Sequence, residues 1–411
     1  MNENSPIIEK IYINDENIIK FKENPRFDNI INLPKFNLGF HHFLHANKEK
    51  TSILNEFKGK KKVYLVANNY EINIDDYNEG INDVARIYFE LNEKQNIINR
   101  SFYKLWEIYI LFSDIINTKK AINTAHIAEG PGSFIQATSL YRKKFCKKYY
   151  KDDKYFGITI HDEINDFNEL FIKQHNKIVD NITIHKTHNI TNDKIKINKD
   201  NGDITNLITI NNFYNTIKSK NVSKIDLITA DGGFEWKNEN TQEQELYSLL
   251  ISEIIIALKI QKNGGNFICK IYELFTNITM KLLCILSQLY SNIYIIKPFT
   301  SRLSNSEKYI VCCGFNEKKI EQYVQKLENI LTMINNNPNL FLCEIFPEFN
   351  LSEKFTESII DVNVLLSNLQ YKKINQIITF INDNNFHGKQ YVEYKEKQID
   401  CSKKWIQKFF I

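Results

Sequence analysis

The chain has 411 residues, 43% of them hydrophobic, enough to bury a full α/β core and leave room for accessory regions. Its formal net charge of +4 is too small to argue for nucleic acid from bulk charge, so a basic partner surface would have to come from local clustering. The seven cysteines form no C-x-x-C pair and no His/Cys spacing suited to zinc, which argues for reduced thiols in a cytosolic compartment and against a metal site.

Residues 1–95 are mixed and polar, with Pro25, Pro34, a basic run at Lys58, Lys60, Lys61 and Lys62, and an acidic stretch at Asp75, Asp76 and Glu79; they read as an N-terminal extension or small domain. A helix is predicted over Asn99–Ile116, and strands alternate with helices from there to about Phe315. The strands fall near Thr124–Ala128, Tyr155–Ile160, Ile182–His185, Ile225–Asp231, Asn266–Tyr272, Asn292–Lys297 and Lys308–Gly314. The clearest helices between them are Phe134–Lys148, Thr241–Gln261 and Thr276–Tyr290. This βαβ pattern predicts a doubly wound, Rossmann-like α/β domain over residues 96–318 with a mainly parallel, seven-stranded sheet. Residues 319–411 read as helical, with amphipathic runs Ile320–Asn335 and Val362–Asp383, and end on the basic aromatic segment Lys403–Phe410. No signal-peptide core opens the chain, and its longest apolar run, Leu246–Ile260, is interrupted by Ser248, Ser252 and Glu253, so a soluble protein without membrane contact is expected.

The first strand runs into Ala128-Glu129-Gly130-Pro131-Gly132-Ser133-Phe134, a glycine turn from which a helix leaves. Gly130 and Gly132 allow close backbone approach to a mononucleotide-like cofactor, and the helix start is expected to present unpaired N–H groups to it. Open α/β sheets bind ligands at the carboxyl ends of their strands. There Asp231 closes an apolar run and precedes Gly232-Gly233, Lys270 lies within an apolar strand, and Glu307 opens a later strand after Ser301–Ser306. Lys104 shares a helix face with Ile108, Leu111 and Ile115. Taken singly, each has an ordinary reading: Asp231 as a turn cap, the lysines as snorkelling stems, Glu307 as a loop charge.

Together, Lys104, Asp231, Lys270 and Glu307 resemble, in order and context, the Lys-Asp-Lys-Glu tetrad of the FtsJ-type (RrmJ-like) ribose 2′-O-methyltransferases. Gly130, Pro131, Gly132, Ser133 and Phe134 resemble that family's S-adenosylmethionine loop, with serine where glycine is usual. Asn201-Gly202-Asp203-Ile204-Thr205 is similar to its adenine-contacting segment. The runs Lys104–Glu107, Ala230–Gly233, Gly264–Asn266 and Ser304–Val311 are most similar to FtsJ-like proteins of large cytoplasmic DNA viruses of the African swine fever virus type.

The resemblance implies S-adenosylmethionine as cofactor, Asp203 and Asp231 among its contacts, the tetrad as catalytic residues, and capped mRNA as substrate, with methyl transfer to the ribose of the first transcribed nucleotide. It also implies viral transcription or capping proteins as partners and a place in host cytoplasm or virion. Ribosomal or transfer RNA as target, and a non-catalytic RNA-binding or scaffolding subunit, remain alternatives. An unperturbed lysine has a pKa of about 10.4, so Lys270 would need a depressed value to act as general base near neutrality. The basic, aromatic helix around Arg142, Lys143, Lys144, Lys147 and Lys148, with Tyr141, Phe145, Tyr149 and Tyr150, is a candidate RNA surface, as are Lys58–Lys62 and Arg302. Asp162 and Glu163 are candidates for ribose contacts.

Overall fold

A computed structural model describes residues 7–11, 24–31, 34, 38–57, 63–93, 95–161, 181–191, 194–233, 239–317 and 320–411. Its strands are β1 (Ile7–Lys10), β2 (Arg26–Asp28), β3 (Asn123–Ile127), β4 (Lys154–Ile158), β5 (Ile182–Ile184), β6 (His188–Thr191), β7 (Lys194–Ile197), β8 (Ile225–Ala230), β9 (Gln261–Ile271), β10 (Tyr290–Lys297), β11 (Lys308–Phe315) and β12 (Phe341–Glu344). The main helices are α1 (Leu38–Glu49), α2 (Ile81–Tyr88), α3 (Ser101–Leu111), α4 (Ser133–Phe145), α5 (Leu207–Lys218), α6 (Tyr247–Ile260), α7 (Asn277–Leu289), α8 (Ile320–Asn336), α9 (Glu353–Asn382) and α10 (Lys389–Phe409).

One eight-stranded sheet organises the molecule, in the order β1-β10-β11-β9-β8-β3-β4-β5. Strands β5, β4, β3, β8 and β9 are parallel. Strand β11 runs antiparallel between β9 and β10, and β1 adds an antiparallel edge beside β10, one strand more than the sequence pattern predicts. Helices cover both faces, which is why β3 and β8 are buried along nearly their whole length, including polar residues such as His126 and Thr229. On one face α3 and α4 bury Phe102, Tyr103, Trp106, Phe134 and Tyr141 against Leu227, Ile268 and Tyr309. The other face carries α5, α6, α7 and α8.

Register places the site. Ile127 pairs with both Ile158 and Ala230, so β3, β4 and β8 end level with one another. Ala230 pairs with Cys269, which sets Lys270 beside the residue after β8. Because β11 is antiparallel, its start lies at the edge where the parallel strands end: Lys308 pairs with Ile271 and Tyr309 with Lys270. Glu307 is carried there by that reversal.

Strand β9 starts at Gln261, before the predicted Asn266, and Gly265 is required where it passes β8, since a Cβ there would sit 2.9 Å from the Asp226 carbonyl oxygen. The predicted helix Thr241–Gln261 divides at Leu246, and the one predicted from Val362 begins at Glu353, where the Ser352 side chain caps it. The terminal regions interlock: β2 pairs with β12, α1 packs on α9, and α2 on α10. The aromatic side of the C-terminal segment is buried, with Trp405 and Phe409 against α3. Among the described residues, no helix is long and apolar enough to cross a membrane.

The candidate RNA surface on α4 is revised. Arg142 is fully buried and donates to both carboxylate oxygens of Asp153, at 2.6 and 2.8 Å, and to the carbonyls of Asn117 and Lys120. Tyr141 is buried beside it, and Lys144 lies 3.5 Å over the ring of Tyr88. A helix rises about 1.5 Å per residue, so the basic end of α4 lies roughly 20 Å from the glycine turn that begins it. The Lys58–Lys62 cluster lies outside the described residues. Arg142→Met strips the Asp153 carboxylate of its partner and is expected to lower unfolding free energy by about 3–5 kcal/mol in urea titrations, whereas Lys143→Ala, on the solvent side, shifts it by less than about 0.5 kcal/mol.

Candidate active site

The glycine turn leaves β3 through Ala128 (φ 52°) and enters α4 through Gly132 (φ 113°), a left-handed conformation that glycine adopts without steric cost. A Cβ on Gly130 would come within 2.6 Å of Thr159 Oγ1, and one on Gly202 within 2.0 Å of the Thr159 carbonyl oxygen. The His161 amide donates to the Asn201 carbonyl at 2.8 Å. The turns after β3 and β4 and the Asn201–Thr205 segment thus lie side by side at the carboxyl edge. Asp203 is held there by Thr205, whose amide and hydroxyl donate to its Oδ1 at 2.9 and 2.7 Å.

The start of α4 differs from expectation. Glu129, fully buried, accepts from the amides of Phe134 and Ile135 at 2.8 and 2.9 Å, so these N–H groups are already taken. Phe134 turns its ring into the core against Tyr309. Ser133 is buried, and its Oγ has no hydrogen-bond partner, leaving one polar atom in the turn for a ligand. Asp162 and Glu163 lie outside the described residues.

All four tetrad residues converge. Lys104 Nζ lies 2.7 and 2.8 Å from the two carboxylate oxygens of Glu307. Lys270 Nζ lies 3.2 Å from Asp231 Oδ1 and donates to the Asp231 carbonyl at 2.9 Å. The Tyr309 hydroxyl donates to Asp231 Oδ1 at 3.0 Å, and the Ser301 hydroxyl to Glu307 Oε1 at 2.8 Å. Burial works to raise the Glu307 pKa, but Lys104, Lys270 and Lys297 outweigh it and hold the carboxylate well below its usual range. Burial likewise works to lower Lys270, and here Asp231, Tyr272 and Glu307 prevail, so its pKa lies above the ordinary lysine value. The protein's own groups therefore keep Lys270 an ammonium, opposite to the depressed value that a general base near neutrality would need.

Other residues of the site were not singled out from sequence. Lys297 ends β10 and donates to the Asn305 carbonyl at 2.8 Å, Asn305 Oδ1 at 2.7 Å and the Glu307 carbonyl at 2.5 Å. Burial pulls its pKa downward, yet three acceptors match the three donors of an ammonium, and that geometry decides for the charged form. Glu253, read only as a break in an apolar run, stands against the turn after Asp231: a Cβ on Gly232 would be 2.3 Å from its Oε1, and burial pushes its carboxyl up to about 7. A lysine or glutamate inside an apolar run is the signal that finds both.

Arg302 is no isolated phosphate contact, since its Nε lies 2.8 Å from Glu71, which Arg100 also grips. Beside the tetrad, a cavity of about 290 Å³ is bordered by Tyr70, Phe299, Arg100, Arg302, Lys372 and Ser301. Among the described residues one cluster has metal-ligand character, His41, His45 and Glu273, but Lys48 pairs with Glu273 and Ser306 lies 3.2 Å from it, which makes it a buried ion cluster tying α1 to the end of β9.

The tetrad gives a stability prediction. Glu307→Gln weakens the hold on buried Lys104, and the loss is expected at about 1–3 kcal/mol near neutrality. Because the folded-state pKa is depressed, the ionised pair's contribution is complete above the unfolded value of about 4.5 and fades as pH falls from there toward the folded value. The gap in urea midpoint between wild type and variant should accordingly be constant from neutrality down to about pH 5 and narrow below it.

The sequence profile of the FtsJ-like methyltransferases matches residues 97–315, just over half of the chain. Among curated relatives, a Drosophila melanogaster protein named cap-specific mRNA (nucleoside-2′-O-)-methyltransferase 2 is 28% identical over 251 residues, 58% of this chain and 33% of its own. Proteins named cap-specific mRNA (nucleoside-2′-O-)-methyltransferase 1 are 31% identical over 194 residues in Dictyostelium discoideum, 47% of this chain and 24% of that one, and 29% identical over 287 residues in Homo sapiens, 68% and 32%. The chain thus spans about a quarter to a third of the length of these relatives. Among solved structures, a ribosomal RNA methyltransferase from Plasmodium falciparum aligns with 53% of this chain and 97% of its own, at 22% identity and a TM-score of 0.35. With a family profile laid over α3 to β11 and every strand of the main sheet but β1, the chain belongs to the FtsJ-like methyltransferase family.

Proposed function

We propose that this protein transfers a methyl group from S-adenosylmethionine to a ribose 2′-oxygen of RNA, and that its substrate is the first transcribed nucleotide of capped mRNA. The observation that carries the reaction is the meeting of Lys104, Asp231, Lys270 and Glu307 at one carboxyl edge, beside a turn with an orphaned polar atom. The names of the matched relatives support the cap. The cleft beside Ser301 supports it too, because its aromatic and cationic walls, Tyr70, Phe299, Arg100 and Arg302, suit a cationic or stacked base together with phosphates. Action within a cytoplasmic viral transcription or capping assembly belongs to the same reading and rests on the runs Lys104–Glu107, Ala230–Gly233 and Ser304–Val311.

The cofactor supplies an electrophilic methyl on a cationic sulfur. The Gly130–Ser133 turn, Asp203 and Asp231 would hold it. Lys270 and Lys104 face the acceptor hydroxyl as ammonium groups, orient its oxygen and stabilise the negative charge that develops there. Asp231 and Glu307 fix the two lysines and set how readily Lys270 releases its proton and can take one from the hydroxyl. Orientation of this kind can contribute roughly 7–11 kcal/mol in favourable systems.

Purified protein with labelled cofactor should methylate capped RNA, and not uncapped RNA or capped RNA already carrying a 2′-O-methyl on the first nucleotide; Lys270→Ala should lower the rate by about a hundredfold or more. Transfer indifferent to the cap would redirect the substrate to other RNA, and cofactor binding without any transfer would favour a scaffolding role. The pH profile tests Lys270 separately. Asp231 holds its pKa up, so if Lys270 takes the hydroxyl proton, the rising limb of kcat against pH must move to lower pH in Asp231→Asn even as the maximum falls. An unmoved limb assigns the titration to another group.

A further inference from the structure

Glu107 lies one helical turn after Lys104 on α3 and is wholly buried. Its two carboxylate oxygens accept four hydrogen bonds: Oε2 from the Phe299 amide at 2.6 Å, and Oε1 from the Thr300 amide at 2.9 Å, the Thr300 hydroxyl at 2.7 Å and Trp405 Nε1 at 3.0 Å. Three of the donors belong to the turn after β10 and the fourth to α10. The next residue of that turn, Ser301, donates to Glu307, which holds Lys104. The contacts close a ring from Lys104 through Glu307, Ser301 and Thr300 to Glu107, and along α3 back to Lys104.

We infer that Glu107 is a positioning residue for methyl transfer: it sets the Phe299–Ser301 turn that places Glu307 on Lys104, and through Trp405 it makes α10 part of the ribose side of the site. The inference rests on the functional reading above. Two geometric facts separate this from ordinary core satisfaction. The amides of Phe299 and Thr300 both donate to this single carboxylate, which is their acceptor in the fold. Glu107 and Lys104 also share one helix, so the turn is referenced to the backbone that carries the catalytic ammonium. Burial works to raise the Glu107 carboxyl, and the Thr300, Trp405 and Phe299 donors oppose it and leave it at about 7. Those donors are what keep an acceptor there.

Glu107→Gln presents an amide N–H₂ to one of the inward N–H donors, and the turn must withdraw. In the full-length protein we expect kcat to fall by about tenfold or more, with the dissociation constant for S-adenosylmethionine within about twofold, because the cofactor turn lies across the sheet on β3 and β4. Thr300→Val, which removes one donor, should fall in the same sense, and Thr300→Ser, which keeps it, should restore the rate. Ile108→Val, buried in the same helix, lowers the melting temperature and serves as the control for simple destabilisation. A folded Glu107→Gln with kcat within about twofold of wild type, or a kcat loss matched by Ile108→Val at equal melting temperature, overturns the inference. If Glu107→Gln fails to fold, the Thr300 pair decides: equal rates for Val and Ser overturn it, and rescue by Ser supports it. If wild type transfers methyl to no RNA, the functional reading fails, and the crystal structure of Glu107→Gln then decides the positioning: a Lys104–Glu307 pair still at 2.7 Å overturns it, and a pair drawn apart supports it.

Discussion

Two ammonium groups and two carboxylates share a nearly dry space at the carboxyl edge of the sheet, and none of them could stand there alone. Leaving one such charge unpaired in the interior costs several kcal/mol, so each fixes the position of the next. Lys104 is tolerable on an apolar helix because Glu307 meets it, and Lys270 within a buried strand because Asp231 does. The supporting framework answers the same demand. Strand β11 reverses direction so that Glu307 starts where Lys270 ends; Ser301 and Tyr309 donate to the same oxygens the lysines contact, Glu307 Oε1 and Asp231 Oδ1, and Lys297 holds the Glu307 carbonyl.

The same pairing defines the chemistry. A base at neutral pH would require Lys270 to be depressed, yet the carboxylates that make its burial possible hold its proton on. In the proposed reaction the site therefore places positive charge on a poor nucleophile, and proton removal is subordinate to that placement. Mutual dependence also explains why structure well outside the sheet bears on the tetrad: the turn that carries Ser301 is fastened by Glu107, and Glu107 is reached by a tryptophan from the last helix of the chain.

The sheet and the tetrad were legible in the sequence because both leave local signatures. Buried parallel strands read as apolar runs, and a charge inside such a run, as at Lys270, or on an apolar helix face, as at Lys104, is conspicuous. What escaped depends on partners distant in sequence. Strand β1 has only four residues and exists because Ile7–Lys10 can pair with Lys297–Tyr294. Arg142 reads like its lysine neighbours, and only the fold brings Asp153 and two carbonyls around it. Glu107 was visible as a second charge on α3, but its four donors come from residues 299, 300 and 405, which no periodicity connects to it.

Glu129 bears on what the glycine turn can accept. A helix start after a strand and a glycine turn is a ready anion site, because its first N–H groups have no partner within the helix. Here a buried side-chain carboxylate accepts from the amides of Phe134 and Ile135. A pyrophosphate approaching that terminus would find these two donors occupied by a carboxyl that burial holds well above its usual range. The chain thereby keeps the close backbone approach of a nucleotide-binding turn while committing two of the helix-start donors to its own side chain. A nicotinamide dinucleotide needs such donors for its phosphates, whereas S-adenosylmethionine has no phosphate to place and brings a cationic sulfur toward an edge that already holds Asp231. In the proposed function, the turn and Asp231 therefore fit the same cofactor: helix-start donors already taken suit a ligand without phosphates, and the carboxylate lies at the edge where it would bind.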